Sequence, residues 1–314
     1  MSQRLELLHP MLNKYIRPFH VLDIGGGVEP SQNIGQEIAR AYDQAVVTVV
    51  EQDWTKEKFQ SSPRTMICKH TLSAEDIVRL ATCQHFDVVL ALNVVHWYES
   101  EWEIVLRTLT SMADWVAVQV PDVGEGENRP DMPGREHVEF MHDWIGGYME
   151  AMDKCKRLGE TVQFADHPPR SLWLLKGNRY GLRTLTRTSW DADEDSARMD
   201  VSSDETSVWA FNRKKRKLIT STNWHAGMNL ATWVRLGATW PNADWVEERM
   251  REAVGEWMDG RPDGVHGDIA THNFIFNGER MWLVDGQDGW DGHRTDEEAL
   301  EKAVVEMREG MRTC

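Results

Sequence analysis

An α/β fold is predicted, with a Rossmann-like first domain and a second, smaller α+β domain. Three observations predict it. Short apolar runs alternate with amphipathic stretches over the first 178 residues, a glycine turn follows the first of those runs directly, and the composition changes beyond residue 178. Buried parallel strands read as near-continuous apolar segments, and helices alternate with them in sequence.

The strands of the first domain are expected at His20 to Ile24 (HVLDI), Ala45 to Glu51 (AVVTVVE), Thr65 to Cys68, Phe86 to Leu92 (FDVVLAL) and Trp115 to Val120. Between them, Ser31 to Tyr42, Ser73 to Thr82 and Ser100 to Met112 carry helical periodicity. Asp122 to Pro133, rich in Gly, Pro and acid, reads as a loop and candidate lid. It precedes an expected helix from about Arg135 to Arg157 and a closing antiparallel pair, Thr161 to Phe164 and Ser171 to Lys176.

The second domain, 179–314, opens on an acidic run, Asp191 to Glu205, followed by the basic cluster Arg213 to Lys217. Both read as solvated faces or loops. A helix is expected at Asp244 to Met258, short strands at Asn273 to Phe276 and Met281 to Val284, and a terminal helix at Thr295 to about Arg312. No internal repeat is found.

At 314 residues, the chain has room for two units of ordinary size. Lys+Arg 35 against Asp+Glu 51 leaves a net charge of −16, which disfavours broad nucleic-acid binding and anionic lipid. No window approaches the roughly 18 apolar residues of a membrane span, and the first residues lack a signal-peptide core, so a cytoplasmic protein is expected. The four cysteines are scattered without a metal-binding spacing and read as reduced thiols. Tryptophan is abundant at 15, which suits packed interfaces and sugar stacking alike.

Asp23-Ile24-Gly25-Gly26-Gly27 lies between a strand and a helix, where glycine lets the backbone turn tightly against a nucleotide-like ligand. The dinucleotide fingerprint G-x-G-x-x-G fails, because counting from Gly25 its sixth place is Pro30. Glu51 ends the second strand, placed to accept hydrogen bonds from two ribose hydroxyls.

Together VLDIGGG, VVTVVEQD and FDVVLALNVVHWY resemble the class I S-adenosylmethionine-dependent methyltransferases over residues 1 to about 178. The resemblance implies S-adenosylmethionine as cofactor. It implies that the turn Asp23, Gly25, Gly26 and Gly27 faces the methionine part, that Glu51 holds the ribose, and that Leu72, Ser73 and Glu75 flank adenine. Asn93 to Trp97 would face the methyl group, and His96 is the candidate base where the acceptor atom carries a proton.

Farther on, HGDIATHNFIF and LVDGQD are similar to the catalytic segment of aminoglycoside phosphotransferases and related small-molecule kinases. That resemblance implies Asp268 as catalytic base, Asn273 and Asp285 as Mg²⁺ ligands, and ATP as co-substrate. Only 87 residues separate Asn178 from His266, and neither a glycine-rich loop nor a V-A-I-K strand is present. A reduced, kinase-like module and a working phosphotransferase both stay open. The order of the two segments resembles the bacterial O-antigen chain-terminating methyltransferase-kinases. In that family a terminal sugar is phosphorylated and the phosphate then methylated.

Three functions follow as expectations. The first is a methyltransferase acting on a saccharide, sugar phosphate or related small molecule. The second is a bifunctional kinase-methyltransferase acting on a glycan terminus. The third is a non-enzymatic ligand-binding or assembly protein. The partner is a small-molecule or glycan acceptor, and homo-oligomerisation is left open.

Overall fold

The computed structural model describes residues 2–27, 33–55, 62, 64–152, 155–162, 168–177, 199–203, 207–212, 217–223, 226–259, 266–284 and 295–312. Residues 191–198 and 204–205 of the acidic run, 213–216 of the basic cluster, and Asp285 lie outside them.

After helix α1 (Gln3–Leu12), the chain runs β1 (Phe19–Ile24), α2 (Ile34–Ala41), β2 (Ala45–Val50), β3 (Thr65–Cys68), α3 (Ala74–Cys83) and β4 (Phe86–Leu92). A 3₁₀ turn at Val95–Glu101 leads into α4 (Trp102–Met112) and β5 (Ala113–Gln119). Then come α5 (Val123–Asn128), α6 (Val138–Met152), β6 (Cys155–Thr161) and β7 (Arg170–Lys176). The five strands expected before residue 121 are therefore present, two of them, β3 and β4, with the expected bounds.

Beyond these lie β8 (Met199–Ser203), β9 (Ser207–Asn212) and β10 (Lys217–Asn223), which form a small antiparallel sheet. Next are β11 (Met228–Asn229), α7 (Leu230–Arg235), β12 (Ala238–Trp240) and α8 (Ala243–Asp259). The last elements are β13 (Phe274–Phe276), β14 (Met281–Leu283) and α9 (Asp296–Arg312). None of the described helices is long and apolar enough to cross a membrane.

The large sheet has the order β12-β3-β2-β1-β4-β5-β7-β6. Strands β3, β2, β1, β4 and β5 are parallel, whereas β7 runs antiparallel to β5, β6 to β7, and β12 to β3. The order reverses between β1 and β4. In open α/β sheets such a reversal opens a crevice at the carboxyl ends of the strands.

Because side chains alternate across a strand, the strands feed two cores. Val21, Val47, Val49, Ile67, Val88 and Leu90 face α1 and α2, where Leu5, Leu8, Leu12 and Ile38 cover them. Leu22, Val46, Met66, Cys68, Val89 and Ala91 face the other way, onto α3 and α4. That second core also contains Met228, Trp233, Phe274, Phe276, Met250 and Met307 from the C-terminal elements.

The segments before and after residue 178 thus share a sheet and a core. The Lys69 N–H donates to Gly237 O at 2.8 Å. The Gln84 side chain donates to Gly227 O and accepts from the Asn229 N–H, both at 3.3 Å. Several tryptophans serve packing: Trp233 is fully buried against Phe276, which Trp245 also touches.

Two expectations are corrected. The stretch read as loop at Asp122 to Pro133 contains α5, whose start is a capping box: the Gly124 N–H donates to Asp122 Oδ1 and the Glu125 side chain accepts from the Asp122 N–H. The helix expected to reach Arg157 stops at Met152, and Cys155, Lys156 and Arg157 instead pair with Leu175, Leu174 and Trp173 of β7. The closing hairpin therefore forms, but its first strand begins six residues earlier than the sequence indicates. Pairing with an apolar β7 outweighs the local helical pattern.

Trp233→Ala removes a large side chain from the shared core and should destabilise the protein by about 3–5 kcal/mol. Chemical denaturation followed by circular dichroism and by fluorescence should give one coincident transition, since both segments depend on that core.

Candidate functional site: a cleft at the sheet reversal

At the carboxyl end of β1 the chain turns through Gly25 and Gly27, with φ +66° and +74°. The Gly25 N–H continues the sheet ladder to Val50 O at 2.9 Å. A Cβ on Gly26 would stand 2.5 Å from Val49 Cγ1 and 3.0 Å from Asp23 Oδ2, so this position has no room for a side chain. Asp23 itself is buried and accepts the Gly35 N–H of α2 at 2.8 Å. Burial pushes its carboxyl up to about 7, against the opposing effects of the Gly35 bond and Arg4. Asp23 braces the turn from behind.

Glu51, one residue past β2, is fixed by backbone donors on both sides: Gly27 N–H to Oε2 and Asp53 N–H to Oε1, each at 3.0 Å. Leu72 is buried, and Ser73 caps α3 by exchanging hydrogen bonds with Asp76. Glu75, exposed on α3, pairs with Arg79 four residues on and is not among the residues that form the cleft.

After β4, Asn93 takes φ +61°, a conformation that asparagine tolerates better than most residues. Its N–H donates to Gln119 O at 2.8 Å and its side-chain amide to Gln119 Oε1 at 3.2 Å. Trp97 follows, 61% exposed, on a segment that ends at Glu99 with φ +45°. A non-glycine residue held there stores strain.

These elements enclose a cleft of about 610 Å³. Of the residues expected to bind a cofactor, Gly25, Glu51, Leu72, Ser73 and Asn93 line it, whereas Asp23, Gly26 and Gly27 are not among the lining residues. The sequence reading missed His70 and Thr71, which precede Leu72 on the same wall. It also missed Gln119, which orients Asn93 and belongs to no motif.

His96 is placed differently from its neighbours. It is 5% exposed, does not line the cleft, and its Nδ1 has no hydrogen-bond partner among the described residues. Burial, with a smaller contribution from Arg170, pulls its pKa down to about 4. The ring packs beside Trp97, with centroids 5.6 Å apart, and Gly134 approaches its carbonyl so closely that a Cβ there would overlap it. The structure puts this imidazole behind the cleft.

In the C-terminal segment, Asp268 and Asn273 are brought together: the Asn273 amide donates to Asp268 O at 2.7 Å and to Oδ2 at 3.0 Å. Asp296 accepts the N–H groups of His266 and Gly267, and the His266 ring lies 3.2 Å from Val284 O. The Val284 N–H donates to Asn273 O at 2.9 Å, which ties β14 to the loop. Asp285, the third residue expected there, lies outside the described residues.

No protein-family model matches the chain, and no curated protein matches it significantly. Among solved structures, the chain is similar to WbdD with its C-terminal bundle ordered, at 13% identity and TM-score 0.38 over 97% of this chain and 72% of that one. It is similar to the plantazolicin methyltransferase BpumL in complex with SAH, at 11% identity and TM-score 0.37 over 55% and 80% of the respective chains. An O-methyltransferase family protein from Burkholderia thailandensis gives 13% identity and TM-score 0.38 over 55% and 57%. At TM-scores below 0.5 these likenesses decide nothing, and the fold rests on its own sheet order.

The placement of His96 has a pH consequence. Its folded pKa of about 4 lies below the ordinary value of 6.5, so the unfolded chain binds more protons between those limits. Stability from this group is complete above pH 6.5 and is lost as pH falls toward about 4. His96→Gln should shallow the dependence of the urea midpoint on pH in that window. An unchanged slope would mean that the ring is not buried in solution.

Proposed function

We propose that residues 1 to about 178 bind S-adenosylmethionine and direct its methyl group to a saccharide, a sugar phosphate or a related small molecule. The observation that carries this reading is the meeting of Gly25, Glu51, Leu72 and Asn93 around one cleft at the sheet reversal. Its volume, about 610 Å³, is of the size that ligand sites use.

The chemistry of the lining fits the cofactor. Each Glu51 oxygen takes one backbone N–H and keeps a lone pair for a hydroxyl, which suits a ribose diol. Ile24, Val50 and Leu72 give an apolar wall for a flat base, and Asn93 lies on the β4 side. When bound, the cofactor supplies a methyl group already activated on a sulfonium. The protein's own contribution is therefore positional. Glu51 fixes one end of the ligand, Gly25 lets the backbone approach it, and exposed Trp97 offers a flat face at the mouth.

Transfer to a hydroxyl needs a proton acceptor, and transfer to an ionised phosphate oxygen does not. His96, enclosed behind the cleft, serves proton transfer only if the acceptor reaches it.

The meeting of Asp268 and Asn273 favours a second reading, in which the C-terminal segment phosphorylates a glycan terminus before it is methylated. Asp268 would then orient the hydroxyl, and Asn273 with Asp285 would hold Mg²⁺ beside ATP. We prefer a reduced module, because the sequence supplies neither a phosphate-binding lysine in its usual setting nor a covering lobe.

Calorimetry separates these readings. S-adenosylmethionine should bind, and Glu51→Ala should weaken it by about 1.5–3 kcal/mol through loss of charge-assisted hydrogen bonds. Unchanged affinity in that variant would sink the cofactor assignment. Mg-ATP should bind weakly or not at all, and micromolar Mg-dependent binding abolished by Asp285→Ala would promote the bifunctional reading.

A further inference from the structure

Helix α1 docks on the sheet through Leu5, Leu8 and Leu12, yet it also buries a cation. Arg4 is 8% exposed, and its guanidinium donates from Nε at 3.1 Å and Nη2 at 2.6 Å to Oε1 of Gln119, the last residue of β5. The same oxygen takes the Asn93 amide. The Gln119 Nε2 donates to Thr161 Oγ1 at 2.8 Å and to Arg170 O at 2.9 Å, so the amide can point only one way. The head of α1 is fastened separately: the Ser2 N–H and hydroxyl donate to the Glu37 carboxylate at 2.7 and 2.5 Å.

Burying a guanidinium is costly, and the apolar face of α1 would seat the helix without it. The charge does something that leucine would not. A charge-assisted bond polarises the Gln119 carbonyl and pins it, and hydrogen bonds linked through one acceptor reinforce the geometry of the whole set. The remaining donor on that acceptor is Asn93, which lines the cleft in a left-handed conformation.

We propose that Arg4 is a positioning residue for the cofactor, acting through Gln119 to hold Asn93 at the cleft wall. This rests on the reading of the cleft as an S-adenosylmethionine site. The N-terminal helix is then part of the binding apparatus although none of its residues lines the cleft.

A double-mutant cycle tests this, with S-adenosylhomocysteine affinity measured by calorimetry for wild type, Arg4→Met, Asn93→Gly and the pair. Glycine accepts the positive φ, so Asn93→Gly removes the amide without backbone strain. Arg4→Met should weaken binding roughly tenfold, the size expected for losing one charge-assisted contact, and Arg4→Lys should recover part of that. In the Asn93→Gly background, Arg4→Met should cost little more. Equal, independent losses in the two backgrounds would overturn the inference and leave Arg4 a structural residue. If Arg4→Met does not fold, Arg4→Lys and Arg4→Gln carry the same cycle. Failure of the wild type to bind would defeat the cofactor reading and this inference with it, whereas binding with additive losses defeats the inference alone.

Discussion

The buried carboxylate of Asp23 is the interaction on which the cleft depends. It joins three pieces of backbone that would otherwise part company at the end of β1. The Gly35 N–H fixes the first turn of α2, Gly26 lies against its Oδ2, and the strand itself continues into the Gly25 bond to Val50. With the turn held, Gly27 can donate to Glu51, so the acid at the cleft wall is set by main-chain geometry rather than by its own rotamer. The charge is held at a cost, since burial raises the Asp23 pKa to about 7, and Arg4 is among the groups that offset this. Arg4 therefore bears on both sides, on Asp23 by its charge and on Asn93 by its bonds to Gln119.

The second constraint is the edge of the sheet. An exposed edge invites pairing with other chains, and here β12 closes the β3 side by adding an antiparallel strand from far along the sequence. Closing the edge also commits α7 to the adjoining face, where Trp233 fills the core shared with α3 and α4. The C-terminal segment is consequently part of the support for the first domain. Removing it would uncover both a strand edge and an apolar face.

What could be read beforehand follows the range of the interactions involved. The strands of the parallel sheet are legible because full burial on both faces imposes a continuous apolar run, and β3 and β4 match to the residue. Glu51 and Asn93 are legible because strand ends at a sheet reversal are where ligands are met. The stretch Asp122 to Pro133 reads as a loop because its glycine-rich composition conceals the capping box Asp122-x-x-Glu125 that starts α5. By contrast, β12 carries no strand signal of its own and exists through pairing with β3. Arg4 and Gln119 are single residues 115 apart whose meeting only the tertiary structure makes. His96 stands beside exposed Trp97 in sequence yet faces the interior, because a short 3₁₀ turn changes side-chain direction at every residue.

The C-terminal loop is held by bonds that are independent of any catalytic chemistry. Its shape is maintained by groups of the chain itself: Asp296 takes the N–H groups of His266 and Gly267, Asn273 bonds to Asp268, and β14 is tied to Asn273 through Val284. His266 is fully buried against Trp257, so the loop is also anchored by packing. None of these bonds requires a nucleotide. Folding alone then preserves the arrangement of Asp268 and Asn273, and selection for a stable cover over the large sheet would keep the loop whether or not phosphate is transferred. Activity would add demands that this loop does not meet by itself, namely a cation for the nucleotide phosphates and walls that exclude water. The first cleft carries the functional reading, because several elements converge there on a space large enough for a ligand, whereas among the described residues of the C-terminal loop the Asn273 amide is already engaged by Asp268.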